Sequence, residues 1–181
     1  MAALGGSIPR RYAKAIFEIG LEMGNFELLG RQINELAALW KDSPALRQTL
    51  ENPVFKLSQK RAVLQSLMPR LAPARQVQSL VLLLLERGRI ALLPAVARAF
   101  EEMCDDKLGR VRALIKSAKP LDIASETEVR KALERRTGKK VIMITVVEPE
   151  LIGGVVAQVA GLELDGSISS RLSTLKQRLL N

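Results

Sequence analysis

The residues with the most chemical promise are Thr137-Gly138-Lys139-Lys140, where a hydroxyl, a glycine and two ammonium groups could cradle a phosphate. A phosphate-binding loop needs a glycine five positions before Gly138, where Leu133 stands, and a Ser or Thr after Lys139, where Lys140 stands. The segment also leads into an apolar run of strand character, whereas a phosphate loop follows a strand. It does not make a nucleotide site. Gly153, Gly154 and Gly161 lack the dinucleotide-binding spacing as well. The carboxylate pairs Glu101-Glu102 and Asp105-Asp106 sit near one helix end, but sequence neighbours point to different helix faces. They are expected on solvated surface. The chain has no histidine, which removes the commonest general base, the usual zinc ligand and the Ser-His and Cys-His nucleophile pairs. Cys104 is the only cysteine, so neither an intrachain disulfide nor a cysteine zinc site can form. Beside Met103 on a helix it reads as a small core residue, and a reducing compartment fits. No catalytic residue, metal or cofactor is expected.

The elements that would position any site read as helix after helix through the first hundred residues. In 8–23, Tyr12, Ile16, Ile19 and Met23 fall on one stripe, while Ala13, Phe17 and Leu21 form a second beside it. Ile33, Leu36, Ala37 and Trp40 mark a second helix. Ser43-Pro44 supplies a cap and a first-turn proline for a third with Leu46 and Leu50 inward, and Asn52-Pro53 breaks it. Ser58 is the expected cap of a fourth, with Val63, Leu64 and Leu67 inward and an end near Met68-Pro69. A fifth spans 75–87 and stops at Gly88. A sixth, 90–107, has Leu92, Val96, Ala99, Phe100 and Met103 at helical spacing. Six helices on short connections predict an antiparallel bundle over residues 1–106.

The period changes at Gly109. Val111, Ala113 and Ile115 alternate with Arg112 and Lys116, as in a half-buried strand ended by Pro120. Ser125, with Glu128 three residues on, reads as a capping box; Val129, Ala132 and Leu133 face inward, and Gly138 stops that helix. The run 141–147 is apolar on both faces, which predicts the central strand of a small sheet. Further extended pieces follow at 155–160 and 162–164, then a turn at Asp165-Gly166-Ser167 and a last helix carrying Ile168, Leu172, Leu175 and Leu179. The fold class is α plus small α/β, with a C-terminal α/β domain over 107–181.

The net charge of +9 admits nucleic acid, anionic lipid and acidic protein partners. The basic side chains divide evenly between the two halves and are spaced like solvated helix faces. Arg135, Arg136, Lys139 and Lys140 form a basic stretch, but no nucleic-acid-binding motif or aromatic interleaving accompanies it. A basic RNA-binding protein and a small transferase with an unrecognised pocket are the rival readings. Neither accounts for two helices that are apolar on both faces. The longest wholly apolar run, 80–85, is six residues against the roughly 20 that span a bilayer. In 75–87, Val77, Leu80, Val81 and Leu84 make one apolar face, and Leu82, Leu83 and Leu85 spread around the other. Such a helix is fully buried or covers its second face with something else. Side by side with the doubly striped first helix, it would leave a groove for an amphipathic partner helix.

Arg11-Tyr12-Ala13-Lys14-Ala15-Ile16-Phe17 resembles the opening motif of the ATP synthase delta/OSCP family. Asn52-Pro53, the Arg87-Gly88-Arg89 break and the run from Val111 to Pro120-Leu121 are similar to further landmarks of that family, in order. So are Gly138-Lys139-Lys140-Val141, Glu148-Pro149 with Leu151-Ile152-Gly153-Gly154, and Asp165-Gly166-Ser167-Ile168. The resemblance spans essentially the whole chain. The chain departs at Ala157 and Glu163, where the family carries aliphatics, and at Ala160-Gly161, where it carries Gly-Asp. The resemblance implies a non-catalytic stator component of an F-type ATP synthase. It implies that the helical domain holds the N-terminal helix of an alpha subunit between its first and fifth helices, with Tyr12, Ala15, Ile16, Ile19, Leu80, Leu83 and Leu84 as groove residues. It implies that the second domain binds the C-terminal region of b subunits, with Gly153, Gly154, Asp165, Gly166 and Ser167 shaping that domain. One copy per head is implied, with no nucleic acid and no membrane insertion. A peripheral place on the cytoplasmic face of a bacterial inner membrane is expected, because no transit segment precedes the first helix; the alternative is the organellar equivalent.

Overall fold

The computed structural model describes residues 7–149, 151, 154–159 and 162–165. Gly153, Gly166, Ser167 and the expected last helix lie outside the described residues. The chain forms two compact units, Met1–Cys104 and Asp105–Asn181.

In the first unit, α1 (Ser7–Glu22), α2 (Phe26–Asp42), α3 (Pro44–Glu51), α4 (Leu57–Leu71), α5 (Arg75–Glu86) and α6 (Leu93–Lys107, which ends just beyond the unit) follow one another on short connections. Each start and stop has a local cause. The Ser43 hydroxyl accepts from the Leu46 N–H at 3.3 Å, and Pro44 occupies a first-turn position where no N–H is needed. The Asn52 side chain accepts from the Val54 N–H at 3.0 Å and turns the chain at Pro53. Ser58 is not the cap of α4. The helix begins one residue before it, and the Lys56 N–H donates instead to Gln59 Oε1 at 2.9 Å. α4 also runs past Pro69 for two residues, to a left-handed cap at Ala72. The expected long sixth helix is interrupted. Pro94 has no N–H to return to Ile90, so the Leu93 N–H closes a 3-10 turn over Ile90–Leu92 and α6 starts only at Leu93.

All six helices contribute to one core. Phe100 on α6 is fully buried, and its ring stands edge-on to Phe17 at 5.6 Å; Phe17 in turn meets Phe26 at 5.7 Å. Gly20 lets α1 approach α2 closely: a Cβ there would lie 2.9 Å from the Phe26 Cα.

The second unit contains β1 (Arg110–Ser117), α7 (Ile123–Thr137), β2 (Lys140–Val147), β3 (Val155–Val159) and β4 (Leu162–Asp165). The sheet order among the described residues is β2-β1-β3-β4. β1 and β2 are parallel across the α7 crossover, with Val111 beside Val141. β3 lies antiparallel on the other flank of β1, with Ala157 beside Ile115, and β4 pairs with β3. The strand 141–147 is therefore at the edge, and the centre belongs to β1. β1 takes that place despite its charges because they are carried to the sheet margin. Arg112 Nε donates to Asp105 at 2.6 Å and Lys116 Nζ to Glu148 at 2.7 Å. Ala113, Ile115 and Ser117 point the other way and are buried, the first two beneath Leu133 and Val129 of α7. Ile144, Val146 and Val147 of β2 stay exposed.

α7 starts three residues earlier than the Ser125 capping box predicts. Asp122 is the cap, and its carboxylate accepts from the Ser125 N–H at 2.9 Å. The helix ends at Gly138, whose φ of 66° lies in the left-handed region. Gly154, at φ 87°, turns the chain into β3.

Candidate docking cleft

α1 and α5 pack side by side and antiparallel. Tyr12, early in α1, meets Arg89 just beyond α5, and Met23 just beyond α1 meets Gln76 at the start of α5. Each helix has more apolar surface than the core can take. On α1, Ala13 and Ile16 face inward, while Tyr12 is half-buried and Ala15 and Ile19 are exposed. On α5, Val77, Leu80, Val81, Leu84 and Leu85 are buried, Leu82 is half-buried and Leu83 is 39% exposed.

The surplus faces line a cleft of about 340 Å³. Tyr12, Ala15, Ile16 and Ile19 form one wall, and Leu80 and Leu83 stand opposite with Arg75, Gln76 and Ser79. Six of the seven residues named for the groove thus come together. Leu84 does not. It is 0% exposed and points into the core. Arg75, Gln76 and Ser79 do not show in the apolar spacing; the available signal is that Gln76 and Ser79 stand one turn before Leu80 and Leu83, and Arg75 one turn before Ser79. The cleft is open, and its walls are side chains of two helices anchored in the same core. It can hold the apolar stripe of a helix, and its lining places no carboxylate or histidine beside the Ser79 and Tyr12 hydroxyls.

Elsewhere several charged residues have structural partners. Asp105 is not solvated surface. It is buried, and within the second unit it pairs with Arg112 at 2.6 Å and Arg110 at 3.6 Å, both on β1. Asp106 pairs with Lys139 at 3.2 Å. Arg135, Arg136, Lys139 and Lys140 are all exposed at the end of α7 and the following turn. Asp165 closes β4 opposite Val156. The Asp122 carboxyl is held below the ordinary 3.8, chiefly by its side-chain and backbone hydrogen bonds with Ser125. Among the described residues no group of three His, Cys, Asp or Glu could hold a metal ion, and no helix is long and apolar enough to cross a membrane.

Residues 8–179 match the family described as the ATP synthase delta (OSCP) subunit. The "ATP synthase subunit delta" of Anaeromyxobacter dehalogenans is 39% identical over 176 residues, covering 97% of this chain and 98% of the relative. That of Citrifermentans bemidjiense is 35% identical over 173 residues, 96% of each chain. A chain in the Toxoplasma gondii mitochondrial ATP synthase hexamer superposes with a TM-score of 0.74 at 26% identity, over 99% of both chains. With the family pattern and full-length relatives in agreement, this chain belongs to the ATP synthase delta (OSCP) subunit family and is a non-catalytic stator component of the F-type ATP synthase.

Proposed function

We propose that the helical unit, residues 1–106 as an antiparallel six-helix bundle, grips the N-terminal helix of an alpha subunit in the α1/α5 cleft. Residues 107–181 receive the C-terminal region of the b subunits, with Gly154 and Asp165 shaping that domain. One copy per catalytic head then ties the head to the peripheral stalk at the cytoplasmic face of a bacterial inner membrane. The task is mechanical. Rotor torque would spin an untethered head; a head held still keeps ATP synthesis coupled to proton passage. No cofactor or nucleic acid takes part.

The observation that carries this reading is the open apolar cleft whose walls, Ile19 and Leu83 above all, are exposed in the isolated chain. Burying three or four Leu-sized side chains of the occupant there contributes roughly 5–10 kcal/mol before ordering costs, at ~1.5–3 kcal/mol each. That suffices for a joint without covalent chemistry.

The test is calorimetric titration of the full chain with a peptide copying the first ~20 residues, some five to six turns if helical, of the alpha subunit from the same source. Submicromolar binding that Ile19→Asp and Leu83→Asp each abolish, with both variants still folded, supports the cleft. Absence of binding, or binding untouched by both changes, refutes it.

A further inference from the structure

The floor of the cleft is apolar, but its two ends are cationic. At one end the Arg89 guanidinium donates from Nη1 to the Tyr12 hydroxyl at 3.2 Å, which fixes a positive charge beside a cleft wall. At the other end Arg75 lines the cleft itself. No carboxylate lines it. Glu18 on α1 is engaged by Lys14, and Glu86 on α5 by Arg61. Among the described residues neither Arg75 nor Arg89 has a carboxylate partner.

A trough closed at both ends by fixed cations selects an occupant by charge as well as by apolar area. We propose that the occupant of the α1/α5 cleft is an amphipathic helix whose apolar stripe is bracketed by carboxylates, one meeting Arg75 and one meeting Arg89 where Tyr12 holds it. This inference rests on the docking function proposed above and specifies the chemistry of the partner. The two arginines bracket the whole of α5, about 18 Å of helix at ~1.5 Å per residue. The carboxylates of the occupant therefore lie roughly three to four turns apart on one face. Guanidinium groups suit this place because their planar fork pairs carboxylates in two-point fashion and stays charged at any physiological pH. The apolar floor supplies most of the affinity. The charged ends set register, exclude basic or neutral helices and speed the encounter.

The experiment compares two peptides on the full chain: the alpha-subunit N-terminal peptide, and the same peptide with its acidic residues changed to their amides. Affinity and association rate are measured at low and high salt for the parent chain, the Arg75→Glu/Arg89→Glu double variant and Leu83→Asp. The acidic peptide is expected to bind the parent about tenfold more tightly than the amide peptide at low salt, with the gap narrowing as salt screens the ends. In the double variant the preference reverses. Both arginines are exposed, so that variant keeps its fold, which is verified by its helical circular dichroism. If both peptides bind the parent equally, with no salt dependence, and Leu83→Asp still abolishes binding, the charge bracket is wrong and the docking cleft stands. If neither peptide binds the parent, both fall together.

Discussion

Leu83 and Leu84 are neighbours in sequence with opposite surroundings, so truncating each gives a sharp contrast. Leu84 is 0% exposed among the core side chains of the helical unit, whereas Leu83 is 39% exposed on the cleft wall. Leu84→Ala removes three buried carbons and leaves a cavity that helices packed into one core cannot fully close; such changes cost about 2–5 kcal/mol. For a domain of ~100 residues that is a large fraction of a total stability of ~5–15 kcal/mol. With a urea dependence of ~1–3 kcal/mol per molar, a 3 kcal/mol loss lowers the unfolding midpoint by roughly 1–3 M. Leu83→Ala loses only partly buried area and no cavity forms, so its cost stays at about 1–1.5 kcal/mol, at ~0.8 kcal/mol per buried carbon. The chain has a built-in reporter for this measurement. Trp40 is the only tryptophan, and it lies buried in the same core, so its fluorescence follows the helical unit alone. The two variants should also separate in the opposite sense in the peptide titration, where Leu83→Ala weakens binding and folded Leu84→Ala binds almost normally. Equal midpoint shifts, or a Leu83 shift larger than that of Leu84, would refute the assignment of faces on α5.

Gly20→Ala ordinarily gains about 1 kcal/mol of helix propensity, but here the new methyl meets the Phe26 Cα at 2.9 Å. Overpacking of ~1–3 kcal/mol wins, so the Trp40 midpoint is expected to fall; a rise would show that the first turn of α2 gives way freely. Ser43→Ala removes the side-chain acceptor that caps α3 and is expected to lower stability by about 1 kcal/mol in the same assay; no change would mean that Pro44 alone fixes the start. Asp122 has a folded pKa below its ordinary 3.8, so its cap contributes above that value and is lost as pH falls through the lower, folded one. An acid titration followed by NMR is expected to move the Ser125 amide at a midpoint below 3.8, and Asp122→Asn is expected to remove that transition; a midpoint at or above the ordinary value sinks the cap assignment.

The helices were legible because their signals are local. Ser43-Pro44, Asn52-Pro53 and Gly138 mark boundaries through caps and turns that involve residues within four positions of one another. The double stripe of α1 likewise announced surplus apolar surface, and Tyr12, Ile16 and Ile19 of its first stripe line a cleft. α5 was harder, because a helix apolar all round has no period to say which side is core. Only the packing of the other helices separates Leu83 from Leu84. The burial of Asp105 depends on Arg112, and the position of Arg89 on Tyr12, 77 residues away in sequence. Neither pairing leaves a local trace. The edge position of β2 escaped for a related reason. Apolar residues on both faces mark a strand that tolerates burial, and the sheet centre went to β1 because Asp105 and Glu148 take up its charges. Asp122 and Ser125 are both good cap residues, and the local pattern could not rank them.

The central strand of the sheet is also the first one made. During synthesis β1 leaves the ribosome ahead of every partner. α7 and β2 can settle on one flank as soon as they emerge, while the other flank waits for the β3-β4 hairpin. The gap between Val147 and Asp165 corresponds to about 1–4 s at ~5–20 residues per second. For that interval a nascent chain carries a half-built sheet with one open row of backbone donors and acceptors, a template for strands of another copy. A ribosome paused just after β2 would prolong it, so slow codons there would raise aggregation of new chains while leaving the finished protein unchanged.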